Sequence, residues 1–297
     1  MTNLEKTVQT AGKQYKKQSQ AKDIWRRMKK NKAAMIGICI FTVIISVAIF
    51  ADVIVPYDLG ITNVARERLQ PPSANHIFGT DGYGRDVFAR VIHGSRVSLM
   101  IGLSTSVFSL VFGGLLGAAA GYYGGKIDGI IMRTCDIVMS IPGILLALAI
   151  IAALGASTVN LLIAITISSV PGSIRLVRST ILTVVEQDFI EAAHSYGSSD
   201  MRIIIKYILP NAIGPIIVNT TMSIAGMILS AAGLSFIGMG IQPPQPEWGA
   251  MLSEAREYMT TSPYMLYFPG ISIVLTALSL NLIGDGLRDA LDPKLKD

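Results

Sequence analysis

Six stretches of this chain run long without a charged side chain, and that spacing limits the fold more than any other feature. Residues 33–51 give 19 uncharged positions in a row before Asp52, within a first apolar run of 33–55. Further apolar runs cover 98–119, 137–154, 158–174, 212–238 and 265–283. An α-helix rises about 1.5 Å per residue, so about 20 apolar residues cross a hydrocarbon layer about 30 Å thick. Only 15% of the residues are charged, against about a quarter in soluble domains, and those charges lie in blocks between the runs. The expected fold is therefore an all-α integral membrane protein with about six transmembrane helices.

Charge placement orients the runs. The chain has 25 Lys and Arg against 20 Asp and Glu, and ten of the basic residues precede position 33. A basic tail before a span is the cytoplasmic flank of the positive-inside rule, so no nucleic-acid partner is expected. With six spans, 19 Lys and Arg fall on the side of both termini and six (Arg66, Arg68, Arg85, Arg90, Arg96, Arg256) on the other. Both termini are expected in the cytoplasm. The polar N-terminal part is too long for a cleavable signal, so the first run reads as a retained span. Cys39 and Cys135 alone make no disulfide framework or zinc cluster. The organisation expected is a basic tail (1–32), a first span with a long extracytoplasmic loop (33–96), a core of five spans (97–287) and a short cytoplasmic tail (288–297).

Residues 33–51 and the other five runs contain no Asp, Glu, Lys, Arg or His. Self-powered carriers usually keep ionisable groups at membrane depth, so energy is expected to enter from outside the bilayer. His76, His93 and His194 lie in loops, and no catalytic, metal or cofactor set can be assembled from them. The stretch "GYYGGKI" is no phosphate loop, because Ala120 replaces its first glycine and Ile127 follows Lys126. A non-catalytic chain without cofactor is expected.

The runs contain packing material. Gly113, Gly117, Gly121 and Gly125 recur every four residues and would stack on one helix face, where small residues let backbones approach. Asn219, Thr220, Thr221, Ser223 and Asn281 either bond neighbouring helices or line a wet path, and Asn219, Thr220 and Ser223 are the candidates for the pathway.

Between the fourth and fifth runs stands "EAAHSYGSSDMRIIIKYILP" (191–210). Asp188 and Glu191 have capping-box spacing, Gly197 suits a left-handed helix end, and Ser198 or Ser199 can cap a second helix with Asp200 in its first turn. Ile203, Ile204, Ile208 and Leu209 give that helix an apolar side, and Pro210 suits the first turn of the next span. The expectation is helix, glycine turn, helix: a folded handle on the cytoplasmic face.

This stretch resembles the EAA motif of the membrane subunits of ABC importers. Glu191, Ala192, Ala193 and Gly197 match its core and Leu209–Pro210 its end, while Tyr207 stands where the motif usually has Ile. "FGTDGYGRDVFARVIHGSRVSL" from Phe78, "LSFIGMGIQPPQPEWGAML" from Leu234 and "NLIGDGLRDALDPKLK" from Asn281 resemble the dipeptide/oligopeptide/nickel branch, although Ala231 occupies a position where many relatives have Glu. The resemblance implies a type I (MetI-like) importer fold in a bacterial or archaeal plasma membrane, with a coupling helix that includes Glu191, Ala192, Ala193, Gly197, Ser198 and Asp200. It also implies a second homologous permease subunit, two ATP-binding cassette ATPase subunits that hydrolyse the ATP, and an extracytoplasmic solute-binding protein. The implied cargo is short peptides, with nickel, glutathione or another small solute as alternatives. A stand-alone secondary transporter is the competing reading from another class.

Overall fold

The computed structural model describes residues 20–291, so most of the basic tail and residues 292–297 lie outside the described residues. Helix α1 (Gln20–Met28) precedes α2 (Lys32–Ile49), which starts where the Asn31 side chain accepts the Ala34 N–H at 3.1 Å. Side-chain capping of this kind satisfies a donor that the helix itself leaves free. Helix α2 stops at Phe50, and residues to 55 form a separate short turn, Ala51–Ile54. The first span is thus shorter than the apolar run.

Helix α3 (Val87–Tyr123) has 37 residues and is N-capped by the Asp86 carboxylate on Ala89 N–H at 2.8 Å. At about 1.5 Å per residue it far exceeds a bilayer core. It runs unbroken through positions 96 and 97, well beyond the expected 98–119. Helices α4 (Gly125–Met139) and α5 (Gly143–Leu154) are bent by 81° against each other. The expected span 137–154 is therefore not one straight helix. Pro142, which has no N–H to continue the ladder, forces the chain out of helix between them.

Helix α6 (Thr158–Val185) does not stop near 174, and Pro171 is buried within it. Helices α7 (Asp188–Ser195) and α8 (Asp200–Ile203) follow, and a π turn (Ile204–Ile208) carries α8 directly into α9 (Leu209–Phe236). Helix α10 (Trp248–Ala255) precedes α11 (Tyr264–Leu291). Among the described residues, five helices are long and apolar enough to cross a membrane, six if the bent α4–α5 pair is one span.

Packing rests on small residues. A Cβ added at Gly37 in α2 would lie 2.8 Å from both the Leu282 Cβ and the Ser279 carbonyl of α11, so these helices meet nearly backbone to backbone. At one end of the bundle, where the basic residues gather, lie the start of α2, the ends of α3, α6 and α11, and the α7–α8 element. The other end is capped by residues 56–86 and α10.

Candidate functional site

The connection after α6 is folded, as the sequence predicts, but its caps differ. Gln187 is the N-cap of α7 and makes no side-chain cap bond; Asp188 is already helical, so the expected Asp188–Glu191 box does not form. The other end of α7 closes with two bonds, Ser198 N–H to Ala193 O at 3.1 Å and Gly197 N–H to His194 O at 2.8 Å. This closure requires a left-handed residue, and Gly197 has φ +71° with open space around its Cα. Ser199 takes the N-cap position of α8 without a side-chain cap bond.

The inward side of this element is apolar. Ile190, Ala193, Ile203 and Ile208 pack with Val177, Ile181 and Val184 of α6 and with Ala212 and Ile216 of α9. Burying a side chain of this size is worth roughly 1.5–3 kcal/mol, so the element is fixed to the bundle. From α8 through the π turn into α9, the buried positions of this cluster are 203, 208, 212 and 216: the first step is five residues, then four. The π turn takes up that extra residue and rotates the following helix. Leu209, expected on the apolar side, is accordingly exposed, a correction that follows from the turn geometry.

The outward side is left uncovered. Phe189, Tyr196, Met201 and Ile205 are exposed, Tyr196 to 90%, with Glu191 and Ala192 beside them. Of the motif residues, Ala193 faces inward instead, and Ser198 is half-buried. Asp200 is exposed, and its carboxylate accepts the Tyr122 hydroxyl at 2.9 Å, while the Tyr122 ring stacks on His194 with centroids 6.2 Å apart. Tyr122 therefore holds both helices of the element. The sequence signal for it was a pair of tyrosines, Tyr122 and Tyr123, in the last turn before the Gly124–Gly125 stop.

Three of the four stacked glycines meet α6. A Cβ on Gly117 would lie 2.6 Å from the Ile174 carbonyl oxygen and one on Gly121 3.0 Å from that of Arg178, while one on Gly113 would collide with Ser173. Gly125 does not join them. Helix α3 ends at Tyr123, Gly124 and Gly125 both have positive φ, and nothing lies within 4 Å of a Gly125 Cβ. On α9, Asn219 is exposed, and Thr220 and Ser223 are half-buried. All three bond carbonyls of their own helix: Asn219 to Pro215 at 3.0 Å, Thr220 to Ile216 at 2.7 Å and Ser223 to Thr220 at 2.8 Å.

The opposite end holds polar groups that the sequence analysis did not single out. Arg85 and Arg90 are buried between Asp81 and Glu254; Arg85 Nε lies 2.7 Å from Asp81 and Arg90 Nη2 3.0 Å from Glu254. Buried charges persist only when paired in this way. Glu247 is also buried and caps α10, accepting Gly249 and Ala250 N–H at 2.8 Å each and the Ser98 hydroxyl at 3.2 Å. Burial raises its carboxyl above the usual range, against the lowering effect of those two N–H groups. Trp248 Nε1 donates to Val91 O at 3.0 Å. The signals were "GTDGYGRD" and "PEWG", whose partners lie far away in sequence.

A multi-pass helical membrane protein that displays an anchored helical element at its basic end is the class these features define. The match to known proteins agrees. Residues 113–297 match the family described as binding-protein-dependent transport system inner membrane component, and residues 19–72 match the N-terminal TM domain of oligopeptide transport permease C. The chain is 48% identical over 283 residues to the dipeptide transport system permease protein DppC of Alkalihalophilus pseudofirmus, covering 95% of this chain and 93% of that one. It is 47% identical to the glutathione transport system permease protein GsiD of Escherichia coli, covering 92% and 90%. The inward-facing MetNI methionine ABC transporter structure superposes with TM-score 0.56 at 18% identity, covering 69% of this chain and 98% of that one, which shows the shared type I importer fold. The chain belongs to the binding-protein-dependent transport system inner membrane component family.

Proposed function

We propose that this chain is the permease subunit of an ATP-driven importer, forming half of a pathway for short peptides and coupling it to separate ATPase subunits through residues 188–208. The observation that carries this reading is the two-sided coupling element. Its inner face is anchored to α6 and α9, and its outer face leaves Phe189, Tyr196, Met201 and Ile205 uncovered. A surface of that kind on an otherwise rigid element is an interaction site.

In this reading the basic end faces the cytoplasm, and Glu191, Ala192, Gly197, Ser198 and Asp200 belong to the docking element. Ala193 contributes from inside, as a packing residue. Closure of two ATPase subunits pulls two such handles together, and the helices joined to them shift between inward-open and outward-open arrangements. A second homologous permease completes the pathway, and an external binding protein delivers the solute. Asn219, Thr220 and Ser223 line the path from α9, where Asn219, Ser223, Gly226 and Ser230 follow one another at three- and four-residue steps along one helix face.

Short peptides are the favoured cargo because one named relative transports dipeptide and another glutathione, itself a peptide. The test is uptake coupled to ATP hydrolysis in vesicles. Glu191→Lys reverses the charge at the docking end, and Gly197→Pro forbids the positive φ of the joint. Both variants are expected to insert normally and to uncouple hydrolysis from uptake. Wild-type peptide uptake by both, at equal expression, would contradict the coupling role.

A further inference from the structure

Helix α1 is not part of any site described above, yet it is firmly placed. Met28 and Ile24 pack with Ala290 and Leu287 of α11, and the Asn31 amide donates to Asp289 at 3.0 Å. Lys32 then opens α2, the first span, so α1 is held at the mouth of that span. With one side committed to α11, the positions at 22, 25, 26 and 29 share the other side, by the three- and four-residue repeat of a helix. These are Lys22, Trp25, Arg26 and Lys29, and all four are exposed.

The composition of this face is specific. Trp25 is 44% exposed, with the Lys29 ammonium 5.3 Å from its ring centroid. Residues 22–32 hold six cations (Lys22, Arg26, Arg27, Lys29, Lys30 and Lys32) against one carboxylate, Asp23, which pairs with Arg26 at 3.2 Å. At the end of α11, Asp289 is engaged by Asn31. An indole with an apolar body and a polar N–H, ringed by cations beside a span entrance, matches the boundary between acyl chains and phosphate headgroups.

We propose that the face formed by Lys22, Trp25 and Arg26 of α1 with Lys29, one residue past its end, is a docking surface for anionic phospholipid headgroups, with Trp25 lying at the headgroup boundary. It keeps α1 against α11 and so ties the end of the last helix to the membrane surface. An acidic protein surface, such as that of an ATPase subunit, is the competing occupant. The proposal requires only that the basic end meets a bilayer surface, so it stands or falls apart from the coupling role.

The sequence has two tryptophans, and Trp248 is buried, which makes Trp25 readable by fluorescence. Full-length protein, alone and in its complex, is reconstituted in phosphatidylcholine bilayers containing equal fractions of brominated phosphatidylglycerol or brominated phosphatidylcholine. Quenching assigned to Trp25 is the difference from Trp25→Phe. The expected result is several-fold stronger quenching by the anionic lipid. The preference is expected to shrink with each cation removed among Lys22→Gln, Arg26→Gln and Lys29→Gln, and to reach parity between the two lipids when all three are removed together. Should the variant carrying Lys22→Gln, Arg26→Gln and Lys29→Gln together fail to insert, salt titration of the wild type gives the same reading, since exposed attractions weaken as the Debye length shortens. Equal quenching by both lipids, absence of quenching, or a preference indifferent to salt would overturn the proposal. So would loss of the preference once ATPase subunits cover Trp25, which would assign the face to protein.

Discussion

The Tyr122 hydroxyl donates to the Asp200 carboxylate at 2.9 Å across 78 positions of sequence, joining the last turn of α3 to the first turn of α8. Helix α3 is the longest element of the bundle, and α8 continues through the π turn into α9. The bond therefore ties the 188–208 element to α3. Removing the hydroxyl by Tyr122→Phe should destabilise the fold by no more than about 1 kcal/mol, because Asp200 is exposed and water can replace the donor. Transport should suffer more than stability. The expected outcome is near-normal thermal stability, retained ATP hydrolysis and fewer peptides imported per ATP. Tyr122→Ala, which also removes the stacking on His194, should lower coupling further.

Glycines of α3 give a sharper contrast. Gly117→Leu places side-chain atoms where the Ile174 carbonyl and the Val177 Cβ stand 2.6 and 2.9 Å from a mere Cβ. The α3 and α6 backbones must then separate, which should cost several kcal/mol as overpacking does and give little folded protein by fluorescence-detected size exclusion. Gly114→Ala, with nothing within 4 Å, should be harmless or stabilising by up to about 1 kcal/mol through helix propensity.

Much of this architecture was legible because hydropathy and helix punctuation are local. The six runs, the folded connection and the left-handed Gly197 need no distant information. What escaped depends on tertiary contact or on phase. Tyr122 looks like any helix-end aromatic until Asp200 is beside it. Glu247 and Ser98 are 149 positions apart. The π turn adds one residue to the spacing between Ile203 and Ile208, which reverses the side on which Leu209 falls. Gly125 fits the four-residue repeat on paper, but the helix that would carry the repeat ends at Tyr123. The break at Pro142 was hidden because an apolar composition continues through it.

At the capped end, Glu247→Ala removes the acceptor for two backbone N–H groups and the Ser98 hydroxyl in a buried place. A lost cap alone costs about 0.5–2 kcal/mol, and buried unpaired donors add to that. The acid form of Glu247 is favoured by burial, so its folded value lies above the ordinary 4.5. The unfolded chain therefore gives up this proton first as pH rises. The contribution of Glu247 is full below the ordinary value and is lost as pH climbs through the folded one. Thermal unfolding across a pH series should show that decline in the wild type and a flatter profile in Glu247→Gln.

In the proposed function, residues 188–208 seat against an ATPase subunit. Photo-cross-linking from a benzophenone amino acid at position 196 in the intact transporter tests it most directly. Adducts with the ATPase subunit are expected, with a yield that changes between nucleotide-free and ATP-bound states. Absence of any such adduct in every nucleotide state, with position 196 freely reached by a water-soluble label throughout, would contradict it.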